Sequence, residues 1–121
     1  MSTVLVVDDS LSELELVSSY LRKSGHTVIM ATDAKEALNK AIEQKPDVVV
    51  TDLVMPGMNG LELCRSLKTH DHTKKTPIVA CTSKTQDIDR FWAMKQGIDV
   101  YVTKPFTQEQ ITNAVKYSLG K

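Results

Sequence analysis

Three aspartates, two hydroxyls and an amine stand where short apolar runs of the sequence stop. Asp8 and Asp9 follow the run 4–7, Asp52 follows 48–51, Thr82 and Ser83 follow 78–81, and Lys104 lies just past 100–102. An isolated loop aspartate is usually a turn former or a helix cap, and any one of these alone would read that way. Together they describe different chemistry. Three carboxylates about 5 Å apart repel by roughly 3 kcal/mol per pair at an effective dielectric near 20, which approaches the ~5–15 kcal/mol stability of a whole domain. Lys104 supplies one compensating charge. A divalent cation is the natural second, and oxygen donors without histidine or thiolate favour Mg²⁺ over zinc or copper. A raised carboxylate pKa is the other available compensation. A carboxylate beside such a cation, with Lys104 and Thr82 to hold non-bridging oxygens, can attack phosphorus and become an acyl phosphate.

These residues meet only if the chain brings the ends of several strands to one edge. The runs 4–7, 27–31, 48–51, 78–81 and 100–102 are rich in Val and Ile and apolar almost throughout, the pattern of parallel strands buried on both faces. Segments of helical period separate them. Leu11, Leu14, Val17 and Leu21 mark one apolar face; Ala34, Ala37, Leu38, Ala41 and Ile42 mark another. Ser10 with Glu13, Asp33 with Glu36, Asn59 with Glu62 and Thr107 with Gln110 have capping-box spacing. Gly25 and Lys45-Pro46 are stop signals. A helix expected near 85–96 has no such box, only Asp87 and Asp89 to favour its positive end. Strands alternating with helices imply a parallel sheet covered on both faces, whose ligands bind beyond the carboxyl ends of the strands.

Composition narrows the classes. The 121 residues, 41% hydrophobic and 25% charged, suit one ordinary globular domain over 1–121. Fifteen basic against 15 acidic residues leave no excess for neutralising phosphates, so no nucleic-acid partner is expected. No apolar run approaches a membrane span or a signal peptide, and Cys64 and Cys81 stand alone among apolar residues, as reduced buried thiols do; a cytoplasmic monomer is expected. Glycines at 25, 57, 60, 97 and 120 fit neither G-x-G-x-x-G nor a P-loop, which disfavours nucleotide binding. His70 and His72 fall in the polar stretch 68–76 and read as solvated loop side chains.

Four motifs in order, Val6-Val7-Asp8-Asp9-Ser10, Asp52-Leu53-Val54-Met55-Pro56-Gly57-Met58-Asn59-Gly60, Thr82-Ser83 and Asp99-Val100-Tyr101-Val102-Thr103-Lys104-Pro105-Phe106, resemble those of response-regulator receiver domains. The resemblance runs from Val4 to about Leu119. It implies a flavodoxin-like (βα)5 fold with five parallel strands in the order 2-1-3-4-5, and a cis Lys104-Pro105 peptide. It also implies that Asp52 accepts a phosphoryl group from a sensor histidine kinase. Asp9, Asp52 and the main-chain carbonyl of Val54 would hold Mg²⁺, with Asp8 acting through a metal-bound water. Lys104 and Thr82 would be the catalytic partners, and Thr82 and Tyr101 the switch. The stretch 89–97 is similar to stand-alone receivers of pilus-type chemosensory systems that govern twitching motility and, in some bacteria, phototaxis.

With no output module expected after the last helix, signalling would run through a downstream protein partner, a motor, a pilus component or another effector. The family's docking surface is its fourth helix, fifth strand and fifth helix. Phe91 and Trp92 are neighbours there, and a helix spreads neighbours by about 100°, so at least one is expected at the surface with Tyr101; core packing of both is the alternative. Val54 and Lys84 are expected to flank the approach of water to phospho-Asp52, and valine cannot orient that water. Two rival readings remain open. A Mg²⁺-dependent phosphatase of the haloacid-dehalogenase type also uses a nucleophilic aspartate, but places its pair one residue apart on one loop, whereas Asp8 and Asp9 are adjacent. A phosphate sink would share every site residue.

Overall fold

The computed structural model describes residues 2–120. The chain alternates β1 (Thr3–Val7), α1 (Leu11–Lys23), β2 (Thr27–Ala31), α2 (Ala34–Gln44), β3 (Val48–Thr51), α3 (Gly60–Thr69), β4 (Ile78–Thr82), α4 (Asp87–Lys95), β5 (Val100–Thr103) and α5 (Gln108–Leu119). All strand pairs are parallel, in the order β2-β1-β3-β4-β5. The order reverses beside β1, and the crevice at that switch point is where open α/β sheets bind ligands.

Strand pleating divides the core in two. Leu5, Val7, Val49, Ile78 and Ala80 face one side, against Ala34, Ala37 and Ala41 of α2, Leu63, Cys64 and Leu67 of α3, and Ala93 of α4. Val4, Val6, Val48, Val50, Val79 and Cys81 face the other, against Leu14, Val17 and Leu21 of α1 and Ile111, Ala114 and Val115 of α5. Burying each Leu or Val contributes about 1.5–3 kcal/mol, so α1, α3 and α5 are firmly anchored. Helix α4 buries only Ala93 and is held far more lightly.

Several expectations need correction. Only the inner strands β1, β3 and β4 are buried on both faces; β2 and β5 are largely half-buried, because each has a neighbour on one side only. Leu11, the first residue of α1, is 67% exposed and leaves the α1 stripe, which is buried at Leu14, Val17 and Leu21. Four helices have the expected side-chain N-cap, but reciprocal capping occurs only at Thr107 and Gln110. Glu36 bonds the Thr32 amide instead of returning to Asp33. As its sequence suggested, α4 starts without a side-chain cap. Lys45, at φ 47°, closes α2, and Gly25, at φ 91°, follows α1 in the left-handed region glycine tolerates.

Candidate functional site

The cluster is assembled by register. Val7 pairs with Thr51 and Thr51 with Ala80, while Thr82 pairs with Thr103, so the last residues of four adjacent strands line one edge. Asp8 and Asp52 are the next residues on β1 and β3, and the Asp52 amide donates to the Val7 carbonyl. Lys104 follows β5, its amide donating to the Thr82 carbonyl, and Lys104-Pro105 is the cis peptide the resemblance implied.

Asp8, Asp9 and Asp52 each offer an oxygen, and these atoms lie within 4.8 Å of one another. Asp8 is buried, Asp52 half-buried and Asp9 exposed. The Lys104 ammonium bridges the two inner carboxylates, 3.1 Å from Asp8 Oδ2 and 3.2 Å from Asp52 Oδ2. The other oxygens are also held: the Ser10 amide donates to Asp8 Oδ1 at 3.0 Å and the Val54 amide to Asp52 Oδ1 at 3.2 Å.

One cation serves three acids. Burial pushes the Asp8 carboxyl above the usual range, against the opposing pull of the Ser10 amide and Lys104. Burial works against the charge of Lys104, yet attraction to Asp52 and Asp8 lifts its pKa above 10.5. Two of the three compensations considered from the sequence, Lys104 and a raised carboxylate pKa, are therefore present. The remaining negative charge, carried by hard oxygens that converge, suits a hard divalent cation such as Mg²⁺.

The hydroxyls divide. Thr82 is the last residue of β4 rather than the first after it, is fully buried, and accepts weakly from the Lys84 amide at 3.4 Å. Ser83, the first residue after β4, is exposed. Tyr101 is half-buried on β5; its hydroxyl donates to the Lys84 carbonyl at 2.7 Å and Arg90 lies over its ring at 5.2 Å. Lys84 thus touches both Thr82 and Tyr101 through its main chain, a link without sequence signal because any residue has an amide and a carbonyl. Its ammonium lies 3.9 Å from Asp89.

Gly60 is a second feature that spacing alone did not single out. A Cβ there would strike the Asp52 carbonyl and the Leu53 Cα, so the start of α3 presses directly on the loop carrying Asp52. Val54 is 52% exposed beside that loop. Phe91 and Trp92 are both exposed, which overturns core packing of the pair. Trp92, Leu53, Val54, Met55, Leu61 and Lys84 help line a largely apolar groove of about 430 Å³ between the β3–α3 loop and α4. Cys64 and Cys81 are free and buried, and burial pushes their thiols up to about 11 and about 12. His72 is exposed, whereas His70 is half-buried and accepts from the His72 amide.

Residues 4–116 match the response regulator receiver domain family. The chain belongs to that family. It is 36% identical over 120 residues to Protein PilH of Pseudomonas aeruginosa, covering 99% of each. It is 38% identical over 118 residues to the alkaline phosphatase synthesis transcriptional regulatory protein PhoP of Bacillus subtilis, covering 98% of this chain and 48% of PhoP. Among solved structures, chemotaxis protein CheY4 of Vibrio cholerae superposes with a TM-score of 0.93 at 34% identity, over 98% of this receiver and 99% of CheY4. Among the described residues, no helix is long and apolar enough to cross a membrane.

Proposed function

We propose that this receiver takes a phosphoryl group from the phosphohistidine of a sensor histidine kinase onto Asp52, and signals by binding a downstream protein according to its phosphorylation state. The observation that carries the reading is the Asp52 carboxylate, flanked by Asp8 and Asp9 and paired with Lys104 at 3.2 Å. A carboxylate oxygen of Asp52 attacks phosphorus, the P–N bond to the donor imidazole breaks, and its electron pair leaves with the imidazole nitrogen. Asp9, Asp52 and the Val54 carbonyl would hold Mg²⁺ directly and Asp8 through water; when bound, the ion supplies charge neutralisation. Lys104 shifts from the carboxylates to the phosphoryl oxygens, and Thr82 donates its hydroxyl to them. Attack of water on phosphorus later returns Asp52 and inorganic phosphate, so the chain catalyses only its own phosphorylation and dephosphorylation.

The adduct replaces the single carboxylate charge by a phosphoryl group carrying about −1.5 to −2, a net gain of at most about one negative charge, and adds new acceptor oxygens at one loop, which biases the nearby donors. Thr82 and Tyr101 are the switch in this reading. The surface formed by α4, β5 and α5, including Phe91, Trp92 and Tyr101, is the output face. Likeness to the chemotaxis protein CheY4 and to PilH supports a role in motility or chemosensory control.

Intact mass after incubation with acetyl phosphate and Mg²⁺ tests the reading. Wild type gains one phosphoryl group, Asp52→Asn gains none, and chelation abolishes the gain. Many turnovers on small phosphomonoesters, or an adduct that persists in Asp52→Asn, would overturn it.

A further inference from the structure

The groove of about 430 Å³ between the β3–α3 loop and α4 is joined to the phosphoryl site through two of its lining residues. Val54 gives its amide to Asp52 Oδ1 at 3.2 Å, and the Lys84 amide lies 3.4 Å from the Thr82 hydroxyl. The other walls are mainly apolar, from Leu53, Met55, Leu61 and Trp92. Trp92 is 52% exposed, and its ring stands nearly perpendicular to that of Phe91 with centres 5.6 Å apart, a contact that braces the indole.

What the groove adjoins says what enters it. In an in-line transfer the leaving group departs from phosphorus on the side opposite the attacking oxygen, and the water that later attacks phospho-Asp52 arrives from that same side. Val54 and Lys84 flank that approach in the proposed reaction, and both also line the groove. We infer that the groove holds the leaving group of a small phosphodonor, and that it selects aromatic acyl phosphates over acetyl phosphate. The inference rests on the Asp52 reading and adds a class of donor to it.

A carboxylate oxygen of Asp52 attacks the phosphorus of the donor, the bond from phosphorus to the acyl oxygen breaks, and its electron pair leaves on that oxygen as an aromatic carboxylate. The Lys84 ammonium, on the same groove and 3.9 Å from Asp89, supplies positive charge for the departing carboxylate. An apolar cavity of about 150 Å³ is enough for a benzene ring, so a phenyl group fits here with room to spare. Acetate is too small to reach the apolar walls and the Trp92 ring together. A flat ring gains from that contact only while it is held beside Asp52.

Time-resolved intact mass with benzoyl phosphate and with acetyl phosphate, at equal concentration and saturating Mg²⁺, tests the inference. Benzoate and acetate differ as leaving groups whatever protein they meet, so the informative quantity is the ratio of the two rates and its change between variants. Burying about half of a phenyl ring corresponds to roughly tenfold in binding. The ratio is expected to fall about tenfold in Trp92→Ala and to be largely kept in Trp92→Phe, which retains a ring. Asp52→Asn should be labelled by neither donor. Trp92 is the only tryptophan of the sequence, so its emission reads occupancy without transfer: benzylphosphonate should quench it and methylphosphonate should not. If acetyl phosphate labels Asp52 but Trp92→Ala leaves the ratio as it was, or benzylphosphonate leaves the emission unmoved, the groove inference is overturned and the Asp52 reading stands. No adduct from either donor overturns both.

Discussion

Replacing Lys104 with methionine removes the ammonium that bridges Asp8 and Asp52 while keeping most of the aliphatic stem. At an effective dielectric near 20, each contact of about 3.1–3.2 Å is worth roughly 5 kcal/mol of gross attraction, whereas each carboxylate pair within 4.8 Å repels by about 3.5 kcal/mol or more. The two attractions therefore offset most of the repulsion among three acids. Exposure of Asp9 and relaxation of the loops reduce the net effect, and removing one partner of a buried ion pair generally costs about 3–5 kcal/mol. Lys104→Met is expected to lose about 3 kcal/mol in chelator at pH 7.5, a large share of a single domain's stability. The loss should be pH-dependent. Burial already raises the Asp8 pKa above 3.8, and Lys104 is one of the groups holding it down, so the variant lifts it further. A raised carboxyl pKa means the folded state binds more protons, so stability rises as pH falls through that pKa. The deficit should shrink toward pH 5. The wild-type Lys104 contribution is complete below 10.5 and disappears as pH rises through its raised folded value. Excess Mg²⁺ should recover part of the loss by binding only the folded state. Urea melts at pH 5 to 8, with chelator or Mg²⁺, measure all of this. A deficit under 1 kcal/mol at pH 7.5, or one indifferent to both pH and Mg²⁺, would refute the reasoning.

Gly60→Ala forces a methyl group into the Asp52 carbonyl and Leu53 backbone, so a loss of about 2–3 kcal/mol in urea melts is expected, with disturbed amide resonances in the Asp52 loop. Both thiols, buried and raised to about 11 and about 12, should resist a disulfide exchange reagent at pH 8 until the protein is unfolded; rapid labelling of the native chain would contradict their placement. Val54 stands exposed beside Asp52 without a side-chain hydrogen-bonding group, and Val54→Asn is expected to speed phosphate release from the phosphorylated chain, as read by time-resolved intact mass. An unchanged release rate would remove Val54 from the path of water.

Much of this architecture was legible in local pattern. Apolar runs of four or five residues could bury themselves only in a sheet, and Ser10, Asp33, Asn59 and Thr107 announced helix starts because a short polar side chain satisfies amides within its own turn. Asp8, Asp9, Asp52 and Lys104 were legible for the same reason: each lies within two residues of the end of a strand, and the parallel register carries strand ends to one edge. What depends on neighbours from distant parts of the chain was decided by tertiary structure alone. The half-burial of β2 and β5 and the exposure of Ser83 and Leu11 follow from which surfaces have something packed against them. The press of Gly60 on Asp52 and the Lys84 link between Thr82 and Tyr101 pass through main-chain atoms that every residue possesses. The sequence led to a helix near 85–96 without fixing its orientation; the structure shows that α4 buries only Ala93 and leaves Ile88, Phe91, Trp92 and Met94 exposed.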